Sequence, residues 1–191
     1  MKRIVGLVLA SAVFALSLVG CASTQKTGGA GLSSVVAQNV VRVAGERAMQ
    51  EADLSAVKGK MTFIRLTGFV DDRNKGFLDN LVRSRAEDAG ARLVSEDKAN
   101  VIMEVVINSA GNDWGDSKVP LLSHSERTEG AVDLDIIMRN PADGTKISTQ
   151  HVRGDAKYEQ STVIGITGSG GYFVKDKKGQ FVEVESPTSY R

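Results

Sequence analysis

The sequence predicts an α+β domain: a mixed, mostly antiparallel sheet with a strand–helix–strand crossover and one or two helices packed on one face. Three observations carry that expectation. Val132, Leu134, Ile136 and Met138 alternate with Asp133 and Asp135, the period-two pattern of a strand buried on one side. Asn140-Pro141-Ala142-Asp143-Gly144 follows at once and reads as a hairpin turn, with proline early and glycine at the left-handed exit. Upstream, Phe77, Leu78, Leu81, Val82 and Ala89 recur at helical spacing between two strand-like runs, Lys60–Phe69 and Ala91–Ser95. A strand, helix and strand at such spacing fit a crossover onto a neighbouring parallel strand.

In chain order, residues 22–31 are small, polar and glycine-rich and read as a tether with a reach of about 15–20 Å. Ser33 or Ser34 can cap a helix running to about Asp53, with Val36, Val40, Val43 and Ala44 on its buried stripe. Asn74 is the expected N-cap of the second helix, and Gly90 stands where a C′ glycine belongs. Val101–Ile107 is rich in Val and Ile and reads as a strand, whereas Ser109–Asp116 has the composition of a loop. Thr145–Tyr158 is the expected partner of the 131–138 strand. If Asn140 pairs with Thr145, Leu134 faces His151 and Asp135 faces Gln150. Val163–Gly171 turns from apolar to glycine-rich; Tyr172–Lys175 and Gln180–Glu185 form a last hairpin; residues 186–191 read as a frayed end.

The start of the chain has a different grammar. Lys2 and Arg3 precede an uncharged apolar run from Ile4 to Val19, the layout of a secretory signal peptide. At 16 residues the run falls short of the roughly 20 needed to span a bilayer as a helix. It closes with Leu18-Val19-Gly20-Cys21, which resembles the lipobox of bacterial lipoproteins. The resemblance implies a diacylglyceryl group on the Cys21 thiol, cleavage before Cys21 and acylation of the new amino terminus. Ala22 stands where that family's inner-membrane retention signal would be Asp, which implies the periplasmic side of the outer membrane. An ordinary signal peptidase site near Ala22-Ser23-Thr24-Gln25 is the competing reading. The expected organisation is a signal peptide over 1–20, lipidated Cys21 and tether over 21–31, one periplasmic domain over 32–185, and a tail over 186–191.

Loss of the leader removes Lys2 and Arg3 and takes the formal charge from +1 to −1, so no basic field points to nucleic acid. Cys21 is the only cysteine, and if it carries lipid the fold must rest on an apolar core with no disulfide.

"KANVIMEVVI" (98–107) leading into a long hairpin closed by "NPADG" (140–144) is similar to a small envelope domain over about residues 60–158. That domain occurs in the curli secretion-channel lipoprotein, the lipoprotein activators of peptidoglycan synthases and the amino-terminal domain of the Tol translocation protein. Asp143-Gly144 matches the group's hairpin turn; Ala99-Asn100 stands where the group commonly has Ala-Asp. The resemblance implies an envelope assembly as the setting, with a homo-oligomeric secretion or pore complex as the alternative to a partner-binding accessory.

No catalytic constellation emerges from the residues. Two histidines, His124 and His151, lie far apart and fall short of the three or four ligands zinc wants, so neither a metal nor another cofactor is expected. Ser123-His124-Ser125 lacks the nucleophile-elbow context of a hydrolase. Gly165–Gly171 lacks the Gly-Lys-Ser/Thr end of a phosphate loop. Asp133 and Asp135 read as a solvated strand face, and His151 as a residue at the edge of the core. Trp114, between Asp113 and Gly115 and close to Asp116, is either a plug folded under its loop or an anchor presented to a partner. Asp113, Trp114 and Asp116 are therefore the candidate partner-binding residues, and Cys21 the candidate lipidation site. The expected function is that of a non-catalytic envelope lipoprotein that binds a protein partner as an accessory or scaffold, with an envelope hydrolase as the last of the alternatives.

Overall fold

The computed structural model of the chain describes residues 23–27, 35–68, 70–119, 123–163, 166–168 and 170–185, with the backbone alone at 23–27, 73, 114–119, 124, 162–163 and 166–167. The expected signal peptide, Cys21, the two serines expected to cap the first helix and the tail from residue 186 lie outside the described residues.

The elements follow as β1 (Ser23–Thr27), α1 (Val35–Glu51), β2 (Met61–Gly68), α2 (Asp72–Asp88), β3 (Arg92–Leu93), β4 (Val101–Val119), β5 (Ser123–Arg139), β6 (Lys146–Val163), β7 (Ile166–Thr167), β8 (Gly171–Lys175) and β9 (Phe181–Val184). They build one sheet in the order β3-β2-β4-β5-β6-β8-β9, with β1 beside β4 and β7 beside β6. β2 runs parallel to β3 and β4, and every other pairing is antiparallel. The chain is thus α+β with the expected crossover through α2.

The alternation read at 132–138 sets the core. Val132, Leu134, Ile136 and Met138 are fully buried beside Met103 and Val105 of β4, under Val40, Val41 and Ala44 of α1 and Leu78 and Val82 of α2. Small residues bring α1 unusually close to the sheet. A Cβ on Gly154 of β6 would lie 1.9 Å from the Ala44 carbonyl oxygen, and one on Gly130 of β5 would lie 2.8 Å from Val40. Val40, Ala44 and Ala48 recur every four residues, so one edge of the helix rests on this glycine floor.

Helix α2 is capped differently from the expectation. The Asp71 carboxylate accepts the Asn74 backbone N–H at 3.1 Å, and the Asn74 side-chain amide donates to it at 2.7 Å. Asp71 is therefore the N-cap, three residues before the asparagine that composition suggested, while Asn74 sits buried inside the first turn. The other end matches. Gly90 has φ +93°, and the Ala91 N–H to Ala86 carbonyl and Gly90 N–H to Glu87 carbonyl bonds close a Schellman motif.

Three expectations are corrected. Ser109–Asp116 is not a loop but the middle of β4, which continues without interruption to Val119. Its glycines and polar residues can stay extended because β5 pairs with all of this half of β4, and β1 joins the other edge from Trp114 to Lys118. Ser23–Thr27, expected within a free tether, is β1, paired from Ser23↔Lys118 to Thr27↔Trp114.

The β5–β6 register is also off by one residue. Asn140 does bond to Thr145, and Arg139 pairs with Lys146, but beyond that point Met138 pairs with Ser148. Ile147 is the extra residue, a bulge that leaves its side chain 49% exposed. Leu134 therefore faces Val152, and Asp135 faces His151. His151 stands on the exposed face rather than at the core edge.

Candidate functional site

The helices cover one face of the sheet, and the residues with chemistry gather on the other. A bulge between Ile107 and Ser109 of β4 turns Asn108 toward β5. Its side-chain amide donates to Asp133 at 3.1 Å and to Asp135 at 3.0 Å. Gly68 at the end of β2 fits this point because it adopts φ +129° and packs against Ile107, whose carbonyl oxygen would lie 2.3 Å from any Cβ. His151 completes the cluster: its Nδ1 lies 2.9 Å from Asp135 and 3.5 Å from Asp133.

The electrostatics follow from that geometry. The hydrogen bond with Asp135 and the charge of Asp133 hold the His151 pKa above its usual 6.5, against the nearby Arg153 guanidinium. Asp135 is held below the usual carboxylate range, first by the Asn108 amide and then by His151. Asp133 and Asp135, expected as simply solvated, are half-buried and held by these partners.

Further along the same face lies a groove of about 500 Å³. Asp113 and Glu129, directly opposed on β4 and β5, form one wall; Arg153 and Asp155 of β6, with Lys175 and Phe181 of β8 and β9, form the other. Like charges directly opposed on a sheet repel, and Arg127 offsets this pair by bridging to Glu129. Arg153 holds Asp155 at 2.9 Å. Lys157 tethers the β8–β9 hairpin: its Nζ lies 5.0 Å from the Phe173 ring centroid, 4.6 Å from that of Phe181 and 3.0 Å from Glu159. The lining is charged and mixed in sign, with a single aromatic ring, so it suits an extended polar segment better than an apolar ligand.

The three residues expected to act together all lie on β4. Asp113 lines the groove. Trp114 and Asp116 occupy β4 positions between β1 and β5, opposite Thr128 and Thr27 and opposite Glu126 and Gln25 respectively. Arg153, Lys175 and Phe181 were not anticipated, because they meet only through strand pairing across three separate strands. Among the described residues, no group of three or more His, Cys, Asp or Glu is placed to hold a metal ion, and no helix is long and apolar enough to cross a membrane. The chain matches no protein-family model, and comparison with curated proteins returns no match.

Proposed function

We propose that this is an outer-membrane lipoprotein of the bacterial envelope, anchored through Cys21, whose periplasmic domain binds a protein partner as a non-catalytic accessory or scaffold. The observation that carries the reading is the charged start, apolar run and Leu18-Val19-Gly20-Cys21 sequence. Dual acylation supplies the two or more chains that stable anchoring requires. The mixed-charge groove around Asp113, Glu129, Arg153 and Lys175 supports the partner-binding part, since complementary charge fixes register and selects partners.

A secretion or pore subunit is the second reading, and one observation favours it. β4, β5 and β6 run for 19, 17 and 18 residues, longer than the roughly 9–11 that span a membrane as barrel strands. The chemistry of the far half opposes it. In the 123–130 part of β5, Ser123, Ser125, Arg127 and Glu129 occupy one face, and Glu126, Thr128 and Gly130 the other. A lipid-facing strand needs one apolar face.

Metabolic labelling with a fatty-acid analogue, combined with membrane fractionation, tests the proposal. The wild-type chain should take the label and sediment with outer membranes, whereas Cys21→Ala should take none and remain an uncleaved precursor. Equal label in both, or wild-type protein in inner-membrane fractions, contradicts it. For the partner, a photo-crosslinking residue at Asp113 should trap a discrete envelope protein that a probe at exposed Lys146, away from the groove, does not.

A further inference from the structure

We infer that the far end of the β4–β5–β6 ribbon is the membrane-facing surface of the molecule, its occupant being the lipid bilayer itself. This rests on the lipoprotein reading and adds an orientation to it: the anchor is pinned to one end of the fold rather than joined to it by a free tether.

The register of β1 carries the inference. Ser23 pairs with Lys118, and Val119, the next residue of β4, pairs with Ser123, the first of β5. Ser123 in turn pairs with Val163, the last residue of β6. Four strand ends therefore meet at one place. Cys21 precedes Ser23 by two residues, and two residues of chain reach at most about 7 Å. Whatever their conformation, the acylated residue stays within that distance of the ribbon's end. Five of the ten residues between Cys21 and Leu32 are taken up in β1, so they no longer serve as slack.

The rest of the fold is placed by the same register. Strands rise about 3.3 Å per residue. Asp113 is five residues from Lys118 and so lies roughly 17 Å along the ribbon. The β5–β6 turn at 140–144 is about 16 residues beyond Ser125, on the order of 50 Å away. Helix α1 crosses the middle of the ribbon where Val40 meets Gly130, and from there runs away from the β1 end toward Asp53, whose backbone exchanges two hydrogen bonds with the side chain of Gln150. The domain thus stands on its ribbon with the helical layer outermost, and the charged groove opens to one side, above the headgroups and within reach of a partner in the periplasm.

The experiment uses the acylated full-length protein in vesicles of phosphatidylethanolamine and phosphatidylglycerol containing a headgroup-spin-labelled lipid. With Cys21 acylated, an introduced cysteine is the one free thiol in the chain. Ser125→Cys and Ala142→Cys each receive an environment-sensitive fluorophore. The Ser125 probe should be quenched several-fold more than the Ala142 probe. Inserting about twenty Gly/Ser residues between Ala22 and Ser23, with an expected span of roughly 25 Å, should remove that difference while fatty-acid label is retained. Labelled protein with equal quenching at both positions, or with stronger quenching at Ala142, overturns the orientation alone. Absence of fatty-acid label in the wild type overturns the lipoprotein reading together with it.

Discussion

Gly154 offers the sharpest test of how this fold is held together. A Cβ at that position would sit 1.9 Å from the Ala44 carbonyl oxygen, 2.7 Å from the Ala48 nitrogen and 2.9 Å from the Ala44 carbonyl carbon. Real Cβ contacts stay above 3.0 Å, so Gly154→Ala requires a separation of about 1 Å between α1 and β6. The obstacle is helix backbone, which cannot swing aside as a side chain could. Overpacking costs about 1–3 kcal/mol where side chains can adjust. Here the shift also opens a gap beneath Val40, Val41 and Ala48, and a gap of 0.5–1 Å forfeits a quarter to a half of each contact's dispersion well. We expect a loss of about 3 kcal/mol or more. For a domain of this size that lowers the melting temperature by roughly 6–12 °C. Circular dichroism melts of residues 22–191 measure it, with Gly111→Ala as the control. Gly111 has nothing within 4 Å of its would-be Cβ, and alanine there should be neutral or stabilise by up to about 1 kcal/mol. If Gly154→Ala melts within two or three degrees of wild type, α1 does not rest on this glycine floor and the packing described is wrong.

Three further outcomes follow from the same structure. Leu134→Asp, at a fully buried position between Ile107 and Val152, should leave the domain unfolded, whereas Asp133→Asn on the opposite face should change stability by about 1 kcal/mol or less; equal melts would overturn the facing assignment. Asp71→Ala should cost about 1 kcal/mol by removing the α2 cap, and Asn74→Ala should not reproduce that loss through capping, a comparison that urea titration of both variants resolves. The His151 titration, followed by NMR, should have its midpoint above 6.5, and Asp135→Asn should bring it down. Because the folded His151 pKa is raised, its contribution to stability is full below about pH 6.5 and lost as pH rises through the folded value. The lowered Asp135 contributes above about pH 3.8 and loses its contribution as pH falls. An unmoved midpoint in Asp135→Asn would contradict the pairing.

Much of the core could be read from the residues in order, because Val132, Leu134, Ile136 and Met138 keep a strict alternation that a one-sided strand demands. The crossover through α2 and the turns at 140–144 and 176–179 were equally legible from helical spacing and glycine placement. What could not be read was set by pairing over long range. Gly111, Asn112 and Asp113 have loop composition, and they become strand through pairing with Ala131, Gly130 and Glu129 of β5. Ile147 looks like any strand residue, so nothing in the sequence marks it as a bulge. That one-residue slip hid the meeting of His151 with Asp135, since a register shift of one moves every side chain to the other face. The groove was hidden for a related reason. Asp113, Arg153, Lys175 and Phe181 come from four strands, and only the completed sheet order places them around one hollow.

Mass spectrometry of the amino-terminal peptide from membrane-extracted protein tests whether Cys21 becomes the lipid-bearing amino terminus of the mature protein. The expected peptide begins at Cys21 and carries a thioether-linked diacylglyceryl group and an amide-linked acyl chain such as palmitate, with residues 1–20 absent. A mature chain beginning elsewhere, or a Cys21 thiol that is free to react with a maleimide, would contradict it.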